Sequence, residues 1–306
     1  MLHRKSTVVG GWLPTGFVVA ATLFAGMMST ASAAIITDWD FKLEAGFIEF
    51  APVPGVTGSN NNAYLSSVNS SIPTTTGVAD FATIGAVPSR LSWGMPFTGA
   101  GPSSLGVGGT NGHYAGSAVT DGNPVGTIAV THNNNRILGT SLTSATLFYH
   151  LFLDPELPAP PAVAGPIDEL ALPALVLQIS FLETPNFEAC PVPSATLCND
   201  VFVFEAPAGF NPADSSFNED FLFGGEAYNA KLLLSGLSTL PDGACTAVGV
   251  STGCIGFTTV ENQSNVFQAS LQIISTPFPA PEPGPLGAFG LGLAALAMLR
   301  RKPSAR

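Results

Sequence analysis

Residues 266–274 read VFQASLQII, and this stretch decides the fold. Phe267, Ala269, Leu271 and Ile273 alternate with Gln268, Ser270 and Gln272. A period of two places the apolar set on one face of a strand and the polar set on the other. Similar short runs stand upstream: ATLFYHLFL (145–153), ALVLQISF (174–181), NDVFVFEA (199–206), AYNAKLLL (227–234) and CIGFTTVE (254–261). Turn formers separate them, as in NPADSS, LPDGA and ENQSN. Strands at this spacing, joined by turn chemistry, predict an all-β protein, a β-sandwich or jelly-roll-like single domain. Residues 51–127 are mostly small and polar and read either as long loops or as a second layer of short strands.

The two ends read differently. Arg4 and Lys5, an apolar stretch from Phe17 to Met28, and Ala31-Ser32-Ala33 make a secretory signal helix with cleavage after Ala33. At the other end a Pro-rich spacer leads to Pro281-Glu282-Pro283, an apolar run from Gly284 to Leu299, and Arg300-Arg301-Lys302. As a helix that run would be about 24 Å long, against a hydrocarbon core of about 30 Å. Gly287, Gly290 and Gly292 weaken it further. The basic cluster would stay on the cytoplasmic side. The expected organisation is a signal peptide at 1–33, an exported β-rich domain at 34–274, and a sorting segment at 275–306.

These three parts at the C-terminus resemble the PEP-CTERM sorting domain. The resemblance implies a Gram-negative exporter and an exosortase-type protease that acts at Pro281-Glu282-Pro283. It also implies a setting of exopolysaccharide or biofilm matrix. The precursor would use signal peptidase and the Sec export machinery. It would insert in the inner membrane transiently through its tail and end secreted or at the cell surface.

Charge and cysteine narrow the possibilities. The 306 residues carry 10 basic and 21 acidic side chains. Between the two signals, 4 basic and 20 acidic remain. Nucleic acid is a poor partner, since phosphate binding needs clustered Lys and Arg. The acids serve solubility first, with divalent cations or neutral polysaccharide as further possibilities. Cys190 lies near Cys198 and Cys245 near Cys254. Of three possible pairings the local one is favoured, each bond closing a small loop worth roughly 2.5 kcal/mol. The spacings do not suit zinc, so no metal and no cofactor are expected.

The unusual local cluster is Thr131-His132-Asn133-Asn134-Asn135-Arg136, which follows TIAV (127–130). Three Asn in a row are a turn signal first, so a strand is expected to end there. Thr131-His132-Asn133-Asn134, with LSWG (91–94), Ser103-Ser104-Leu105, GTSLTSATL (139–147), FLETPN (181–186), the Cys190 and Cys198 pair and GFTTVE (256–261), resembles the THxN family of PEP-CTERM proteins. That resemblance implies an exported, sorted protein without an assigned biochemical role. Thr131, His132 and Asn134 are its family-motif residues.

Three readings of His132 are open: a structural residue bonded to a turn carbonyl, a polysaccharide or cation contact together with Asn134 and nearby acids, or a catalytic group. His113 and His150 would join it only if the fold brings them close. Oxygen donors for calcium stand in TDGNP (120–124) and FNEDF (217–221), without EF-hand spacing. No G-x-S-x-G, H-E-x-x-H or phosphate loop occurs, and no enzyme is expected. Acids paired in sequence, Asp38/Asp40, Asp168/Glu169 and Glu219/Asp220, do not establish a cleft. Trp39, Trp93, Tyr64 and Tyr114 read as core before sugar platforms. The function expected is structural, or weak binding in an exopolysaccharide matrix. The rivals are a polysaccharide-modifying hydrolase, which requires converging acids near His132, and a calcium-stabilised carbohydrate-binding module.

Overall fold

The alternating stretch at 266–274 lies inside a 14-residue strand, Gln263–Thr276, in which Ala269, Leu271 and Ile273 are buried. The computed structural model describes residues 34–52, 54–67, 79–80, 86–97, 99–157, 170–185, 190, 198–205 and 209–276. The signal segment with Ala31 and Ala33, and the sorting segment from residue 277 on, lie outside them.

Among the described residues two large antiparallel sheets carry the fold. The first has nine strands: β1 (Asp38–Ala51), β3 (Ala79–Asp80), β7 (His113–Val119), β10 (Ser144–Leu157), β11 (Leu170–Ala171), β12 (Leu175–Leu182), β13 (Asp200–Glu205), β17 (Ser238–Thr239) and β18 (Ile255–Thr259). Its order is β17-β18-β13-β12-β10-β1-β3, with β7 on β1 and β11 on β10. The second has eight: β2 (Val56–Asn61), β4 (Pro88–Trp93), β6 (Ser103–Val107), β8 (Val125–Asn134), β14 (Phe210–Asn211), β15 (Ser216–Phe223), β16 (Glu226–Leu234) and β19 (Gln263–Thr276), in the order β14-β15-β16-β19-β8-β6-β4-β2. A short ribbon pairs β5 (Met95–Pro96) with β9 (Ile137–Leu138). The helices are brief, α1 (Ala63–Ser67) and α2 (Asp242–Val248).

Apolar side chains of both sheets meet in shared clusters. One holds Leu43, Phe47, Leu147, Phe181, Phe202 and Phe257 of the first sheet with Leu91, Trp93, Leu105 and Ile128 of the second. Another packs Trp39, Phe41 and Leu153 against Phe221, Tyr228, Leu271 and Ile273. Trp39 makes edge-on contacts with Phe221, Phe223 and Tyr228, and its Nε1 donates to Thr120 Oγ1 at 2.9 Å. Trp39 and Trp93 are both core residues, each buried. Burying side chains of this size supplies most of the drive to hold two sheets together.

Of the two readings of residues 51–127, the short strands hold: β2, β4 and β6 extend the second sheet and β7 flanks β1. LPDGA contains the start of α2, not a simple turn. β8 ends inside the Asn run, as expected, but only after Asn134: Asn133 pairs with Ser104 of β6 and Ser264 of β19, and Asn134 with Gln263 of β19. Ladder bonds on two flanks outweigh the local turn preference of Asn.

Both disulfides are the local ones, Cys190–Cys198 and Cys245–Cys254. The second ties α2 to the entry of β18, where buried Cys245 packs with Val201, Val203, Leu240 and Ala244.

Candidate functional site

The alternation of β8 turns Thr131 and Asn133 one way and His132 and Asn134 the other. The second pair points inward and is wholly buried. The His132 ring stacks on Trp93 of β4 at 5.6 Å, and Phe181 of β12 and Phe202 of β13 meet it edge-on at 5.7 and 4.8 Å. Nδ1 lies 2.9 Å from Thr259 Oγ1 of β18. Asn134 Nδ2 donates to Thr259 O at 3.3 Å and to Thr259 Oγ1 at 3.4 Å. These bonds run from the second sheet to the first, so His132 and Asn134 tie the sheets together.

Burial alone pushes the His132 pKa down to about 3, because a charged imidazole among aromatic rings loses its hydration. The ring is therefore neutral at ordinary pH. His132 Nε2 and Asn134 Oδ1 are buried with no hydrogen-bond partner. The expected partner of His132, a turn carbonyl, is replaced by a threonine hydroxyl on the opposite sheet. His113 and His150 do not join it. They lie on the first sheet in register on either side of Glu44, and His113 Nδ1 is 2.5 Å from Glu44 Oε1.

Next to this tie sit three acids that sequence reasoning did not single out. Glu183 follows β12, Asp200 opens β13 and Glu261 follows β18. Because β12, β13 and β18 are neighbours and Asp200 pairs with Thr259, these ends converge. One carboxylate oxygen from each lies within 4.8 Å of the other two. Asp200 is wholly buried and Glu261 is 5% exposed.

Each of two acids has one anchored oxygen. Trp93 Nε1 donates to Glu183 Oε2 at 3.1 Å. Thr184 N and Thr184 Oγ1 donate to Asp200 Oδ1 at 2.9 and 3.3 Å. The other oxygens, Glu183 Oε1 and Asp200 Oδ2, have no partner. Burial pushes the Glu183 pKa up to about 8, and the Glu261 charge adds to the rise. Burial also holds the Asp200 pKa well above the carboxylate range, with the charges of Glu183 and Glu261 behind it. Three carboxylates this close and this dry must share protons or a cation.

The segments TDGNP and FNEDF lie elsewhere. Asp121 accepts from Ser275 N and Ser275 Oγ at 3.0 and 2.6 Å, and Asp220 accepts from Asn229 Nδ2 at 2.8 Å, the bonds of ordinary turns and surface strands.

Two hollows complete the picture. An apolar cavity of about 320 Å³ opens between the sheets, lined by Leu43, Tyr149, Leu175, Phe217, Leu232 and Leu271 among others. On the outer face of the second sheet a shallow groove of about 390 Å³ is lined by Arg90, Pro102, Asn133, Asn135, Gln263 and Ser264. Asn133, next to His132 in the chain, faces this groove.

The spatial result is that LSWG, the Thr131–Asn134 run, FLETPN and GFTTVE, scattered along the chain, contribute Trp93, His132, Asn134, Glu183, Thr259 and Glu261 to one place. The signal that could have found the acids was present, since Glu183 and Glu261 stand in two of those segments. Nothing in their spacing shows that they meet.

No helix among the described residues is long and apolar enough to cross a membrane, and the apolar run at 284–299 lies outside them. No curated protein matches the chain. Residues 279–302 match the PEP-CTERM protein-sorting motif, which holds Pro281, Glu282, Pro283, Arg300, Arg301 and Lys302. The motif implies export, processing by an exosortase and a secreted or surface location, and on this ground the chain carries a PEP-CTERM sorting signal.

Proposed function

We propose that the chain is a non-catalytic protein of the extracellular matrix or cell surface, with a sandwich-type two-sheet body of the THxN kind that binds exopolysaccharide weakly. The observation that carries this reading is the sorting motif at 279–302. Residues 1–33 act in it as a leader cut after Ala33, and the apolar run holds the precursor in the inner membrane until the tail is removed. The meeting of the scattered THxN-like segments around His132 and Thr259 supports reading them as one unit. The groove beside Asn133 supplies the contact surface: side-chain amides and an Arg offer paired donors and acceptors to sugar hydroxyls.

The hydrolase reading requires acids that converge near His132, and acids do converge there. Asp200 and Glu261 are buried, however, and attack on a glycosidic bond needs carboxyls that flank the substrate. That supports a binding or structural role over hydrolysis.

The test expresses the chain in an exopolysaccharide producer with and without its exosortase. The expected outcome is tail removal only where the protease is present, with the mature protein retained in the polysaccharide fraction. Substituting Asn133→Ala together with Asn135→Ala should release it to the medium while processing continues. An intact tail in both strains would sink the sorting part, and equal retention of the double variant would sink the groove.

A further inference from the structure

Glu183, Asp200 and Glu261 form a site that the matrix reading does not use. We propose that these three carboxylates bind one calcium ion. The geometry points to it in three ways. The oxygens lie within 4.8 Å of one another, and ligands about 2.3–2.6 Å from a shared calcium stand no more than about 5 Å apart. Anchoring is one-sided: Trp93 fixes one oxygen of Glu183 and Thr184 fixes one oxygen of Asp200, leaving the others bare. That is how outer partners orient ligating carboxylates. Finally, Asp200 Oδ2 is a buried oxygen with no partner, on a side chain wholly shut off from water, and Asn134 Oδ1 is a further bare buried oxygen held at Thr259, the residue paired with Asp200.

The chemistry selects the ion. An all-oxygen set with no thiolate and no imidazole suits a hard cation. Magnesium demands tight octahedral geometry and keeps several waters, which a cluster with Asp200 and Glu261 buried does not favour. A divalent charge would let all three acids ionise, removing the repulsion that otherwise forces protons onto them. The ion would then clamp the ends of β12, β13 and β18 together. The site stands independently of polysaccharide binding, so either can fail without the other.

The experiment uses the full chain, oxidised, stripped with EDTA and then titrated with calcium chloride, magnesium chloride or terbium chloride. At a calcium concentration a hundredfold above its Kd the melting temperature should rise by roughly 5–10 °C. Terbium should show sensitised emission on excitation of tryptophan, because the Trp93 indole is bonded to a ligand of the site. Asp200→Asn should melt no lower than the parent in EDTA, since the amide is neutral like the carboxyl it replaces and keeps an oxygen for Thr184, and should lose both the calcium response and the terbium emission. Glu261→Gln repeats the test should Asp200→Asn not fold. Identical melting with calcium and EDTA, the same calcium response in parent and variant, or magnesium acting as strongly as calcium would each overturn the proposal.

Discussion

Replacing His132 by phenylalanine should change how the stability of the fold responds to acid. The imidazole is buried and bonded across the sheets, and its folded pKa of about 3 lies below its ordinary value near 6.5. A depressed folded pKa means that the unfolded chain binds a proton the folded one refuses. The contribution is whole above pH 6.5 and is lost as pH falls from there toward 3. At pH 5.0 the histidine's contribution should have fallen by about 2 kcal/mol relative to pH 7.5, and at pH 3 by about 4 kcal/mol. Glu183 and Asp200, with raised pKa values, pull the opposite way, but they do so in both proteins. The difference between wild type and His132→Phe therefore isolates the histidine. Urea unfolding of both, at pH 7.5 and 5.0 in EDTA, measures it. Phenylalanine should cost about 1–3 kcal/mol at pH 7.5, because Thr259 Oγ1 loses a buried partner, and the gap should close by about 2 kcal/mol at pH 5.0. His132→Gln, which can keep a bond to Thr259, should close the gap by the same amount from a smaller start. A gap constant to within about 0.5 kcal/mol in both variants would refute the reasoning.

Two further outcomes follow from the packing. Changing both Cys245 and Cys254 to Ser frees a small closed loop, so stability should fall by at least about 2.5 kcal/mol, read as a melting temperature lower by roughly 5–10 °C. A change under about 1 °C would mean that the bond does not constrain the unfolded chain. Gly256→Ala on β18 would set a Cβ 1.9 Å from the Phe202 carbonyl oxygen, which backbone movement alone can relieve. A loss of about 1–3 kcal/mol is expected in urea unfolding, and an unchanged midpoint would show that β13 and β18 are further apart than described.

The fold was legible where strands alternate or carry aromatic and β-branched runs. β10, β12, β13, β16, β18 and β19 each fall on a stretch whose pattern names it. It was not legible where strands are polar. β2 buries only Val56, and β7 exposes most of its residues, so neither leaves an apolar trace. The helix α2 spans seven residues after Pro241 and includes Gly243, too short for a 3.6-residue period to show. At the site, local sequence said turn at Asn133–Asn135, and only pairing with β6 and β19 keeps β8 extended through Asn134. The acids were invisible for a different reason: Glu183, Asp200 and Glu261 are brought together by strand order, and no local pattern encodes that order. Of the segments that the resemblance grouped, LSWG, Thr131–Asn134, FLETPN and GFTTVE meet in one cross-sheet contact.

The strand that leads to the sorting motif has a mechanical consequence. β19 is paired along its length, with β16 from Ala269 to Thr276 and with β8 from Gln263 to Leu271, and the motif begins three residues beyond it. Antiparallel bonds lie across the strand direction. Tension drawn through residues 279–302 and along β19 would strain both ladders in shear, many bonds at once, instead of peeling an edge one bond at a time. A chain pulled by its tail is gripped at the middle of a sheet, so the body should withstand more tension than one held by an edge strand.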